Sequence, residues 1–154
     1  MSSAAKDAAA AAERSPELTS RLGYLLKHAQ LRLAELTAAA LEPFGVNGRE
    51  LAVLMVLAEG EPASQQEAAR RLGIDRTSMV AFLDALEEKG LVERHPHAHD
   101  RRRNVVELTT AGRETMRAAR RAGDEAERRF LAPLGRTAGA ALKESLLALI
   151  ESED

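Results

Sequence analysis

The chain has no cysteine and no tryptophan, one tyrosine and three phenylalanines in 154 residues. The missing thiols exclude disulfides, cysteine-ligated zinc and thiol redox sensing. Aromatics make up 3% of the chain and hydrophobic residues 45%, so Leu, Ala and Val must fill whatever core forms. No apolar run approaches the roughly 20 residues that a membrane-spanning helix needs. The alanine-rich start is interrupted by Lys6, Asp7, Glu13 and Arg14. It does not read as a secretory leader, and the expectation is a cytoplasmic protein with no membrane partner. Catalytic signatures are missing as well. There is no G-x-S-x-G, no glycine-rich phosphate loop, no H-E-x-x-H and no thiol nucleophile. No enzyme is expected, no catalytic residue is assigned and no cofactor is implied.

Positive charge is also scarce. The formal net charge is -2, and between 47 and 112 nine Lys and Arg face eleven Asp and Glu. A nucleic-acid binder is usually more basic. Any such function must therefore rest on where individual arginines stand, because screened charges act over ~10 Å.

What is present is a helical pattern broken at regular points. Leu18, Leu22, Leu25, Ala29, Leu36 and Ala40 recur at steps of three and four, with Leu26 and Leu33 beside them, which predicts a helix. Pro16 suits its first turn and Pro43 with Gly45 stops it. At 1.5 Å per residue the helix is about 38 Å long, more than one small domain can cover, so a partner chain is the simplest cover. Asn47 with Glu50 predicts a capped start for a second helix through Leu51, Val53, Leu54 and Leu57. Gly60, Glu61 and Pro62 end it. Ser64 and Glu67 form the S-x-x-E pattern of a capping box, opening a short helix to Leu72. Gly73 supplies a left-handed turn, and Asp75 caps a helix that runs to Lys89 and stops at Gly90.

Two short alternating runs follow, 91–94 and 104–108, separated by a polar loop, 95–103, and together they predict a hairpin. Thr109 or Thr110 then caps a long charged helix toward Leu131. Pro133 and Gly135 punctuate, and a last helix over 137–151 carries Leu142, Leu146, Leu149 and Ile150 on one side.

The order helix, glycine turn, helix, basic hairpin is that of a DNA-reading device. Ala69, Gly73, Ile74, Met79, Phe82 and Leu86 sit where two crossing helices must pack. The other faces of the second helix carry Arg76, Thr77, Ser78, Val80 and Ala81. Gln65 and Gln66 open the bracing helix, where side chains and backbone N–H groups can hold phosphate. Three arginines, Arg101, Arg102 and Arg103, stand beside Asp100, which can fix one of them through a bidentate pair. Such a tip suits the negative potential of a narrow minor groove.

His95, His97 and His99 alternate, and an extended strand would put them on one side, a possible metal site with Asp100. No separate cluster completes a metal site, and no metal is expected. Protonation of these histidines, whose ordinary pKa is about 6.5, would add positive charge near DNA in acid. Arg21, Tyr24 and His28 lie at helical spacing on the first long helix. A cation, a phenol and an imidazole would suit a small aromatic carboxylate or phenol; the alternative is that Arg21 and His28 are surface residues and Tyr24 packs at the interface.

The run L-V-E-R followed by D-R-R-R-N-V-V-E-L-T-T-A-G resembles the wing of the MarR (multiple antibiotic resistance) regulators. In that family an Asp-x-Arg motif precedes a strand ending in Leu-Thr, with a glycine a few residues on; here these are Asp100, Arg102, Leu108, Thr109 and Gly112. The likeness spans roughly 18–151 and is most specific over 64–112. It implies that Arg102 enters the minor groove, that Asp100 buttresses it, and that Arg101 and Arg103 touch phosphate. It also implies a homodimer, a palindromic operator in double-stranded DNA and release by a small-molecule effector. Many relatives carry a basic residue where Ala81 stands; here Val80 and Ala81 can instead touch thymine methyls.

The expected fold is mainly α with a small two-stranded β wing. A winged helix-turn-helix domain (47–112) lies between a dimerisation helix (16–46) and C-terminal dimerisation helices (113–154), after a disordered or weakly helical tail (1–15). The expected function is a homodimeric regulator of transcription, a repressor released by an aromatic or phenolic ligand. The alternative is a helical interaction or ligand-binding module whose winged domain no longer binds DNA.

Overall fold

A computed structural model describes residues 15–59, 63–97 and 100–152, with 63, 97 and 100–104 as backbone only. The expectations for residues 1–14, for the turn at 60–62 and for His99 lie outside the described residues, and so do those for the side chains of His97, Asp100, Arg101, Arg102 and Arg103. The contacts divide the chain into two units, 1–35 and 36–154.

In the first unit, helix α1 (Pro16–Thr19) has Pro16 in its first turn. The single long helix expected from Pro16 is interrupted here. Ser20 Oγ donates to Glu17 O at 2.7 Å and Thr19 Oγ1 to Pro16 O at 3.1 Å, side-chain bonds that compete with the helical ladder. The chain restarts as α2 (Leu22–Leu41). Arg21 therefore sits at the break rather than on the helix with Tyr24 and His28. Leu18, Leu22, Leu25, Leu26 and Leu31 are all exposed.

The second unit holds the core. After Leu41 a 3-10 turn (Glu42–Phe44) closes on Gly45, whose φ of 66° is left-handed. Helix α3 (Gly48–Ala58) starts with the full capping box expected: Asn47 Oδ1 accepts from Glu50 N at 2.9 Å, and Asn47 N donates to Glu50 Oε2 at 2.9 Å. Its Leu51, Val53, Leu54 and Leu57 are buried, as the periodicity predicts. Strand β1 (Ala63–Ser64) leads into α4 (Gln65–Leu72), and Gly73 at φ 63° turns the chain into α5 (Arg76–Glu88). Only half of the Ser64 box forms. Ser64 Oγ accepts from Glu67 N at 3.2 Å, while the Glu67 carboxylate takes Arg70 and Arg71 instead. Met79, Leu83 and Leu86 of α5 are buried.

Strands β2 (Val92–His97) and β3 (Asp100–Leu108) form the hairpin. They are longer than expected, because most of the predicted 95–103 loop is strand. An edge strand tolerates Pro96. Strand β1 adds to the other side of β3, giving a three-stranded antiparallel order β1-β3-β2. Helix α6 (Thr110–Leu131) is capped by Thr109, whose Oγ1 accepts from Gly112 N at 2.9 Å. It faces the core with Gly112, Ala119 and Ala126, small residues that let it lie close to α3. A second 3-10 turn (Ala132–Leu134) precedes α7 (Gly135–Glu151), of which only Gly139 is buried. Leu134, Leu147, Leu149 and Ile150 are exposed. Among the described residues, no helix is long and apolar enough to cross a membrane.

Candidate nucleic-acid interface

Helix α5 is fixed at its start, its end and one flank. At the start, Asp75 accepts from Ser78 N at 2.9 Å and from Ser78 Oγ at 2.6 Å. These bonds favour the charged carboxylate, and they hold Asp75 below its ordinary value of 3.8, the Ser78 hydroxyl contributing most. At the far end, Lys89 reaches the buried Glu50 of α3. On the flank, Arg94 of β2 donates to Asp84 at 2.5 Å and also to Glu87. Its side chain is 19% exposed, so the guanidinium is a partly buried fork between the wing and the helix.

This frame leaves part of α5 free. Arg76, Thr77 and Ala81 are exposed, whereas Val80 and Ser78 are half-buried. The helix pattern puts Ser78 on the contact face, but its hydroxyl belongs to the helix cap. Gln66 is exposed and Gln65 half-buried at the first turn of α4. The Arg70 and Arg71 guanidinium groups beside Glu67 hold its carboxyl below the usual range.

The wing's backbone register has one irregularity. Val92 pairs with Leu108, and the ladder continues in step to Pro96 opposite Asn104. The next partner of β2 is His97 opposite Asp100. Arg101, Arg102 and Arg103 therefore form an insert on β3, set against a single peptide step on β2. Such an irregularity bends a strand and increases its twist. Asp100 and the three arginines are part of a strand, not of a loop.

The wing base is joined tightly to α6. Thr109 Oγ1 donates to Gly90 O at 2.7 Å and Thr109 N to Leu91 O at 3.1 Å. A Cβ at Gly112 would lie 1.9 Å from Leu91 O, so only glycine fits.

In the first unit, the rings of Tyr24 and His28 lie 4.1 Å apart, tilted by 43°. Arg21 and His28 are exposed. A separate cavity of about 430 Å³ lies beside the turn between α4 and α5, lined by Arg49, Leu72, Ile74, Asp75 and Phe82 among others. It includes none of the three expected ligand residues.

The residues Arg94, Glu50 and Lys89 that anchor α5 carry no sequence signal that marks them as its anchors. Glu50 is visible in the sequence only as a cap, and no local pattern reveals a partner 39 residues away.

A profile of the MarR family matches residues 44–103. A structure of the transcriptional repressor CouR bound to a 23-mer DNA duplex is 36% identical, covering 90% of this chain and 98% of that one, with a TM-score of 0.84. A probable transcriptional regulator from Pseudomonas aeruginosa is 30% identical over 86% of this chain and 98% of its own, at a TM-score of 0.80. CouR from Rhodococcus jostii RHA1 bound to p-coumaroyl-CoA is 28% identical over 91% and 99%, at 0.77.

Proposed function

The chain belongs to the MarR family of transcriptional regulators, and from that premise we propose that it is a homodimeric repressor that reads a pseudo-palindromic operator. The observation that carries this reading is the frame around α5. A helix with an exposed Arg76-Thr77 start is tied to the arginine-bearing wing by Arg94, so both contact surfaces move as one body. In a dimer, two such bodies about 34–36 Å apart match one turn of the duplex.

In this reading Arg76, Thr77, Val80 and Ala81 meet base edges, Gln65 and Gln66 meet phosphate, and Arg102 enters the minor groove beside Asp100, with Arg101 and Arg103 on the backbone. Ser78 acts by holding the helix start. Residues 47–112 form the reading domain, and 16–46 with 113–154 the dimerisation elements. The exposed leucines of α2 and those of α7 supply apolar surface for that association. The relative bound to a DNA duplex supports the DNA reading.

The effector is a phenolic or small aromatic compound. The relative bound to p-coumaroyl-CoA, a phenolic thioester, supports that class, and Arg21, Tyr24 and His28 are the candidate contacts. Release requires that the ligand bind more tightly to a dimer whose recognition helices no longer fit the operator.

Selection of bound fragments from a pool of genomic DNA, followed by gel shift across a salt series, tests the proposal. The logarithm of affinity should fall with the logarithm of salt by about 0.9 for each neutralised phosphate. Retention of no fragment at low ionic strength, or a single-chain species in sedimentation, would overturn it. Adding p-coumaroyl-CoA or free phenolic acids to the shifted complex tests the ligand class.

A further inference from the structure

On the hairpin, Glu93 of β2 stands directly opposite Glu107 of β3. His95 follows two residues after Glu93 and shares its face, since side chains alternate along a strand. His95 Nε2 lies 3.1 Å from Glu93 Oε1 and 3.7 Å from Glu107 Oε2. One ligand atom from each of the three residues falls within 4.8 Å of the other two.

Two physical arguments bear on this cluster. Like charges directly opposite each other across an antiparallel pair are unfavourable, so the Glu93–Glu107 pairing gains from a cation placed between them. The spacing also matches a coordination shell. Zinc binds imidazole nitrogen and carboxylate oxygen at about 2.0–2.2 Å, so neighbouring ligand atoms of a tetrahedral shell stand roughly 3.4 Å apart. The two histidine distances fall on either side of that value. One imidazole and two carboxylates suit Zn(II), Co(II) or Ni(II) better than magnesium or calcium, which favour all-oxygen shells.

We propose that Glu93, His95 and Glu107 form a divalent transition-metal site on the wing. Three protein ligands leave a fourth position for water. The ion cross-links β2 to β3 in the in-register part of the ladder, on the base side of the register step, and it offsets the two carboxylates that would otherwise repel nearby phosphate. Where the operator-binding reading above holds, occupancy also tightens DNA binding.

Full-length protein stripped with chelator is titrated with Zn(II) by calorimetry and with Co(II) by visible absorption. One equivalent should bind, with the intense Co(II) bands of a four-coordinate site. His95→Asn and Glu107→Gln should each weaken Zn(II) binding by about tenfold or more, with circular dichroism unchanged. Glu144→Gln on α7 should bind as wild type. No heat and no Co(II) spectrum, or wild-type Zn(II) affinity in both wing variants, would overturn the site. A gel shift with and without Zn(II) then tests the consequence: several-fold tightening for wild type and none for His95→Asn. The titrations contain no DNA, so they decide the metal site whether or not the operator reading survives. Metal binding without tightening removes only the regulatory role.

Discussion

Lys89 Nζ donates to both carboxylate oxygens of Glu50, at 2.8 and 2.9 Å. The same carboxylate accepts the Asn47 N–H. Glu50 is 4% exposed, so one buried group closes the start of α3 and holds the end of α5. Glu50→Ala removes the reciprocal half of the capping box and two charge-assisted bonds. It should lower stability by about 2–3 kcal/mol in urea unfolding. Glu50→Gln keeps an acceptor for Asn47 and should cost about 1 kcal/mol.

Gly112 tests packing at the base of the wing. A methyl group there meets the Leu91 carbonyl, a backbone atom that cannot rotate away. Gly112→Ala should cost about 3 kcal/mol through overpacking. The accompanying sign is faster amide exchange in β2 and β3; a change of helix propensity alone would act the other way, since alanine is the better helix former.

Arg94 tests whether wing and recognition helix must be joined. Arg94→Ala should leave the melting temperature nearly unchanged and weaken operator binding several-fold. Arg94→Lys should rescue little, because an ammonium cannot span Asp84 and Glu87 as a planar fork does. Operator affinity equal to wild type in Arg94→Ala would remove the clamp from the mechanism.

Arg102→Ala should weaken operator binding by about 1–3 kcal/mol with the fold intact. The family motif carries this expectation. A gel shift in which affinity is unchanged would take Arg102 out of the minor groove.

Asp75 gives a pH signature. Its carboxyl titrates below 3.8 in the folded chain because Ser78 donates to the charged form. A carboxyl depressed in this way contributes stability above its unfolded pKa and loses it as pH falls through the folded one. Wild type should therefore melt above Asp75→Ala at neutral pH, and the gap should close in acid below pH 3.8. A gap that does not narrow as pH falls below 3.8 would assign the effect to something other than the charged cap.

Much of this architecture is legible in the chain because its signals are local. Asn47, Asp75 and Thr109 cap backbone groups within three residues of themselves, and a side chain so close leaves a short motif. The buried positions of α3 follow from period alone. The misses are non-local or competitive. Strand β1 has only two residues, and it exists because Val105 and Val106 accept it from across the chain. Leu83 is fully buried while Phe82 is only partly so, since the core face of α5 runs through Met79, Leu83 and Leu86. Glu67 can serve either its box or two arginines, a competition that sequence spacing does not decide. The wing cluster needs Glu107, which only strand register brings to Glu93 and His95. For the candidate contact residues, the start of α5 is legible from the helix pattern and the basic tip from its run of arginines, whereas the separate roles of Arg101, Arg102 and Arg103 come from the family motif.

Ile150 is 80% exposed and Leu149 64%, at the end of a helix with almost nothing beneath it. In the dimer proposed above, pairing covers this hydrocarbon, so folding and pairing become one equilibrium and apparent stability follows protein concentration. Melting temperature should climb on going from dilute to concentrated samples. In a cell, the abundance of the chain would then govern how much of it survives as well as how much DNA it covers.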